Sequence, residues 1–290
     1  LGSADGYMDF SLKDFDALAD NFSKVTIGDI SSGATMYIGD IENKELSTNR
    51  NYNGKLQNTT VFNANTINIV GDIQARGTIT LNARLLEILK TNLHNPMGEL
   101  DSGISGKIIN LNIEEQMVLS GWIKGEDEVK IDISNPTGVN VLVGYGAEAN
   151  GFTADKNSVL KTTNTNGKIT INSAGSIIST TTFEVVGASS TISLNSSKGG
   201  ITILEGGSVS SQAANTTINF DSADYVHLNS GSAVISGARF DYVGATPIAI
   251  KTGENGNITI NAKGELELAG SVTASGEVVL NATSSTSDHA

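Results

Sequence analysis

The amino-acid sequence predicts an all-β chain wound as a right-handed parallel β-helix, a β-solenoid, with a short amphipathic helix near its N-terminus. Three observations carry this reading. A unit of the form aliphatic-x-aliphatic-Asn, followed by a small residue, returns along the chain. Its copies are spaced at one or two multiples of about twenty residues, and self-similarity at such a period marks a repeat architecture. The composition suits a thin core: of 290 residues 38% are hydrophobic and only 5% aromatic, with 32 Gly and 3 Pro. After about residue 60, Ile, Val and Thr favour strands, and Ser, Asn and Gly favour tight turns.

The unit appears as Ile79-Thr80-Leu81-Asn82-Ala83, Ile169-Thr170-Ile171-Asn172-Ser173 and Ile192-Ser193-Leu194-Asn195-Ser196. It returns as Val226-His227-Leu228-Asn229-Ser230, Ile258-Thr259-Ile260-Asn261-Ala262 and Val278-Val279-Leu280-Asn281-Ala282. Ile109-Asn110-Leu111-Asn112 is a looser copy, and Ile218-Asn219-Phe220-Asp221-Ser222 carries Asp in place of Asn. From Asn261 to Asn281 is 20 residues, from Asn172 to Asn195 is 23, from Asn195 to Asp221 is 26, from Asn82 to Asn112 is 30, and from Asp221 to Asn261 is 40. Two aliphatics at i and i+2 face one side of a strand, and the residue between them faces water. The Asn that ends the unit tolerates left-handed backbone. Stacked on equivalent positions above and below, Asn82, Asn172, Asn195, Asn229, Asn261 and Asn281 are candidates for a hydrogen-bonded ladder. One coil cannot bury its apolar face, but a stack can. Some ten to twelve coils at ~4.8 Å each would make a rod of about 50–60 Å. A flat sandwich also has short strands and close turns, but does not account for the recurring Asn.

Taken in order, residues 1–60 differ from the rest. Leu12, Phe15, Leu18 and Phe22 recur at helical spacing, with Ser11 as N-cap and Asp14 in the first turn, and predict a helix over residues 12–22. It would serve as a cap or a connector. A first strand follows at 25–30, then a polar loop or irregular coil over 40–58. Residues 84–95 read as a short helix or two buried strands, which periodicity does not separate. The β-helix is expected over 61–282, clearest at 256–281, with strands at 258–260, 266–268, 272–274 and 278–280 punctuated by Gly264, Gly270 and Gly276. Residues 283–290 read as a disordered tail.

Residues 256–281, and more weakly 167–209, resemble the repeats of filamentous-haemagglutinin-like exoproteins, large bacterial adhesins of which many leave the cell by two-partner secretion. The resemblance covers about half the chain and rests on Gly-punctuated short strands. Secretion domains of that family carry Asn-Pro-Asn-Gly or Asn-Pro-Asn-Leu turns. Asn95-Pro96-Met97-Gly98 and Asn135-Pro136-Thr137-Gly138 match in part, without the middle Asn, and also read as ordinary turns. The resemblance implies a β-helical, extracellular, non-enzymatic role.

A formal net charge of −13 repels phosphate backbones and anionic lipid heads, so nucleic acid is not expected as a partner. With no cysteine there is no disulfide, thiolate metal site or Cys nucleophile. No apolar run approaches the ~20 residues that span a membrane, and no signal peptide is visible. The opening Leu1-Gly2-Ser3 suggests a fragment or processed product. The three His, at 94, 227 and 289, form no pair at metal-ligand spacing, and His227 is expected to face solvent. No Gly-x-Ser-x-Gly elbow supports a Ser nucleophile. Asp127, Asp132, Asp221, Asp224 and Asp241 are candidate acids for glycan chemistry, although acids at strand ends are usually turn formers. Calcium-solenoid repeats, EF-hand loops and phosphate-cradling loops are missing, and Glu126, Asp127 and Glu128 read as a solvated turn. Trp122 reads as packing, or as a platform for a sugar ring.

The expected function is therefore a structural, non-enzymatic rod or stalk segment of a large bacterial surface or secreted adhesin, with no catalytic residue, cofactor or metal. One alternative is a self-assembling extracellular filament or matrix subunit, joined end to end. Another is a carbohydrate-binding or carbohydrate-active β-helix. Host or matrix glycans or proteins are the expected outside partners.

Overall fold

The structure is a computed structural model that describes residues 22–38, 59–69, 72–88, 90–91, 100–143, 145–148, 151–154, 159–243 and 246–283. Among these the chain is all-β, and its only helical element is the single 3-10 turn Ile30–Ser32. One 22-stranded sheet, parallel in its pairings, winds into a solenoid.

Each coil has three faces. Lys168–Ser173 lies on the first, Ser176–Ser179 on the second and Thr182–Val185 on the third; Thr191–Ser196 then returns to the first. Parallel pairing joins each strand to its equivalent one coil away: Ile171 to Leu194 on the first face, Ile177 to Ile201 on the second and Phe183 to Val209 on the third. Alternation within each strand puts one side chain into the core and the next outside, as in Thr191–Ser196, where Ile192, Leu194 and Ser196 are buried.

On the first face ten rungs stack in register. They are Lys24–Gly28, residues 59–64, 78–83, 108–113 and 128–133, then Lys168–Ser173, Thr191–Ser196, Thr217–Ser222, Asn257–Ala262 and Val278–Ala282. At ~4.8 Å per rung they span about 43 Å. The core is a set of columns rather than a ball. Ile27, Phe62, Leu81, Leu111, Ile131, Ile171, Leu194, Phe220 and Ile260 follow one another on the first face, all buried. Such a core needs few aromatics, in keeping with the composition.

The long intervals have a simple cause. The 40 residues from Asp132 to Asn172 make one coil, carrying the antiparallel hairpin Tyr145–Glu148/Gly151–Ala154. The 40 residues from Asp221 to Asn261 likewise make one coil, with the hairpin Ala238–Val243/Thr246–Lys251. The 30-residue coil from Asn82 to Asn112 carries Lys90–Thr91 paired with Leu100–Asp101. Spacing alone permitted two units in each 40-residue interval; the pairing shows a single coil with a hairpin added at a corner.

Of the helix expected over 12–22, all but Phe22 lies outside the described residues, as do the whole loop expected over 40–58 and all but the first residue of the tail expected over 283–290. Stacking begins at Lys24–Gly28, upstream of residue 61. At 84–95 the described residues through Ile88 continue the strand Thr78–Ile88, with Leu86 and Ile88 buried. The strands expected at 258–260, 266–268, 272–274 and 278–280 lie within Asn257–Ala262, Leu266–Leu268, Ser271–Ala274 and Val278–Ala282.

One detail of the repeat is corrected. Asn82, Asn112, Asn172, Asn195, Asn261 and Asn281 each lie within their strand, and Asn229 directly follows its own. Among the described residues the left-handed non-glycine ones are Asn166, Ser189, Asn215 and Asn255, each two positions before a first-face strand. They form their own column at the corner, with Asn166 N–H donating to Ala188 O, Ser189 N–H to Ala214 O and Asn215 N–H to Glu254 O. The chain needs its left-handed bend where it enters the first face, because the small residue after the unit (Ser173, Ser196, Ser222) turns inward and lets the exit corner close without one.

Candidate functional site

The most continuous polar feature is the column of side chains that ends the first-face strands. By register it runs Asn63, Asn82, Asn112, Asp132, Asn172, Asn195, Asp221, Asn261, Asn281. Each Asn amide can donate to the rung before it and accept from the rung after it. Asn82 Nδ2 donates to Asn63 Oδ1 at 2.7 Å, Asn112 Nδ2 to Asn82 Oδ1 at 2.8 Å, Asn195 Nδ2 to Asn172 Oδ1 at 2.8 Å, and Asn281 Nδ2 to Asn261 Oδ1 at 2.9 Å.

The two Asp residues punctuate this ladder. A carboxylate can accept from the next rung but has no N–H for the previous one. Asn172 Nδ2 donates to Asp132 Oδ1 at 2.7 Å, and no side-chain bond joins Asp132 to Asn112 or Asp221 to Asn195. Asp132 is instead neutralised by Lys130, whose Nζ lies 2.6 Å from Oδ2.

That hydrogen bond, the Asp132 charge and the more distant Glu128 raise the pKa of the Lys130 ammonium above its ordinary value. The group's folded pKa is raised, so its small surface contribution is complete below the ordinary lysine pKa and is lost as the pH climbs through the raised one. Asp132→Asn should bring the Lys130 titration, followed by NMR of the side-chain Nζ, back toward the ordinary lysine range. An unchanged titration would show that Asp132 does not hold this ammonium.

Asn229 is not part of the ladder. Val226–Leu228 stacks on Ile201–Ile203 and Leu266–Leu268, which places it on the second face. Its sequence matches the unit because any two-residue alternation ending in a turn residue does so. Conversely, Asn63 and Asp132 belong to the column. Val129-Lys130-Ile131-Asp132 fits the unit with the same Asn-to-Asp exchange as at Asp221, whereas Thr60-Val61-Phe62-Asn63 has Thr at the first inward position and escapes the pattern.

A groove of about 710 Å³ runs beside the column, lined by Asn82, Asn112, Asp132, Asn172, Asn195 and Asp221 together with Lys263. Ile30, Ile113, Ile133 and Ala174 also line it, so its surface is mostly apolar with the amides along one side, and its two column carboxylates are poorly placed for glycoside hydrolysis. Asp132 and Asp221 stand three rungs apart, about 14 Å at ~4.8 Å per rung, beyond the ~5–9.5 Å that a hydrolase pair requires. Asp127 is engaged by Asn164 Nδ2 at 2.8 Å and by Lys107 at 3.8 Å, across rungs. Asp224 is exposed and sits in a turn, its N–H donating to Ser222 Oγ. The side chain of Asp241 lies outside the described residues.

Trp122, on the third face, packs over Gly103 of the paired rung; a Cβ on Gly103 would lie 2.1 Å from the indole ring. Lys124 Nζ stands 4.4 Å from the ring centroid, a cation–π contact. A sugar stacking here would compete with that ammonium. Asn135-Pro136-Thr137-Gly138 is an Asx turn: Asn135 Oδ1 accepts from Thr137 N–H at 3.1 Å and from Thr137 Oγ1 at 2.9 Å, and Gly138 has φ +79°. The turn at 95–98, His94 and His289 lie outside the described residues. His227 points outward but is half-buried rather than fully solvated.

No family model, curated protein or solved structure matches the chain. No helix among the described residues is long and apolar enough to cross a membrane.

Proposed function

We propose that this chain is a structural, non-enzymatic rod or stalk segment of a large bacterial surface or secreted adhesin, its repeats wound as a right-handed parallel β-helix. The observation that carries the reading is the uninterrupted stack of ten first-face rungs over one continuous core. A thin core with a side-chain ladder is a device for length: each coil contacts only its neighbours, so a rod extends by adding coils. The right hand follows the strong bias of parallel crossovers in twisted sheets. The likeness to filamentous-haemagglutinin-like repeats supports an extracellular setting, and the acidic surface suits a polymer that must not stick to itself along its sides.

A second reading, end-to-end assembly into a filament, is favoured by one feature. The last described rung, Val278–Ala282, exposes Val278 and Leu280 to 41% and 43%, whereas their register partners Ile258 and Ile260 are fully buried. These are core-type side chains on the last described rung, beside a strand edge that can pair with a further rung. Negative-stain microscopy and sedimentation across a concentration series test both readings. The stalk reading expects monodisperse rods of constant length and no turnover on a panel of polysaccharides. The filament reading expects lengthening with concentration, abolished by Val278→Lys with Leu280→Lys. Polysaccharide cleavage lost on replacing a carboxylate pair would overturn both.

A further inference from the structure

We infer that His227, Glu265 and Glu267 form a binding site for a divalent first-row transition metal of the zinc class. The sequence shows no His pair and no metal motif, because the three residues come from two coils. His227 lies outward at the centre of Val226–Leu228, and Glu267 is its register partner on Leu266–Leu268. Glu265 precedes that strand and is tied to the same place, its carbonyl accepting the Val226 N–H at 2.9 Å. One ligand atom from each residue lies within 4.8 Å of the others.

The imidazole is the informative member. Tyr225 stacks on it with ring centroids 4.4 Å apart and planes 25° apart. Tyr225 in turn lies over Gly200, where a Cβ would be 2.2 Å from the phenol ring. The ring is therefore held in orientation before any ligand arrives, as a good metal ligand requires. Its Nε2 is buried without a hydrogen-bond partner, yet stands 3.4 Å from Glu265 Oε2. An imidazole nitrogen beside two carboxylates is a nitrogen–oxygen donor set suited to zinc, which takes N and O ligands at ~2.0–2.2 Å. Glu265, 71% exposed at its side chain, is free to swing the short distance needed to close the set, leaving a fourth position to water. The competing account is a plain His–Glu ion pair, which would need no second carboxylate and would leave no affinity for metal.

Isothermal titration of the full chain with zinc chloride decides between them. One saturable site is expected, weakened about tenfold or more by His227→Thr, which copies the Thr202 found at the equivalent position one rung earlier and so preserves the fold. Glu267→Gln should weaken it as well, while His94→Ala and His289→Ala leave it unchanged. Binding should also shift the His227 ring resonances in NMR. No saturable binding, or binding indifferent to His227→Thr, would overturn the site.

Discussion

Phe220→Ala is expected to destabilise the solenoid by about 3–5 kcal/mol, the cost typical of emptying a fully buried aromatic site. Phe220 has no solvent exposure and sits in the first-face core column between Leu194 and Ile260. In a globular core, neighbours relax part-way into such a cavity. Here the parallel hydrogen bonds of all three faces hold the rungs at their spacing, so collapse along the axis is blocked and the upper part of the range applies. Phe220→Leu copies Leu194 of the adjoining rung and should cost only about 1 kcal/mol. Urea denaturation followed by circular dichroism measures both. Near-equal losses for the two variants would mean that the column repacks freely and that core volume is not what sets stability.

Asn172→Asp is the second large effect, about 2–4 kcal/mol at neutral pH. Asn172 donates to Asp132 Oδ1 at 2.7 Å and accepts from Asn195 Nδ2 at 2.8 Å. The substitution keeps the acceptor and removes the donor, so a bond to a charged group is lost and two carboxylates face each other across one rung. Like charges in direct register cannot both stay ionised cheaply; one pKa rises, so the penalty stands at neutral pH and fades as the pH falls through that raised value. Asn172→Ala loses the hydrogen bonds without the repulsion and should lack this recovery in acid. Identical pH profiles for the two variants would sink the argument that the ladder is electrostatically exposed at Asp132.

The ladder also shows where sequence reading succeeds and where it stops. At Asn82, Asn172, Asn195, Asn261 and Asn281 the residue type and the alternation before it agree with the observed column, because period two and a terminal amide are local properties. At Asn229 the same local pattern stands on another face. The five residues Val226-His227-Leu228-Asn229-Ser230 fit the unit as well as the true copies do; what sets them apart is which strand lies one coil away. At Asp221 and Asp132 the carboxylate looks like a degenerate copy, and only the direction of amide donation along the stack makes it a break. The left-handed corner was assigned to the right residue type but the wrong turn, since Asn166, Asn215 and Asn255 precede the strand rather than end it.

Intervals of 40 residues were equally open in one dimension. A second coil and an inserted hairpin have the same length and the same alternation. Parallel pairing of Asp221 with Asn261 excludes the first and leaves the second.

By itself, then, the sequence determined the period-two faces, the Gly and Asn punctuation, the thin aliphatic core and hence the all-β stacked architecture, because these follow from steric preferences and solvation that act within a few residues. Tertiary structure alone decided the register from coil to coil, and with it the membership of the ladder, the placement of three hairpins on corners, and the meeting of His227 with Glu265 and Glu267. Those outcomes depend on what lies about 4.8 Å away along the axis, and that neighbour is twenty to forty residues distant in the chain.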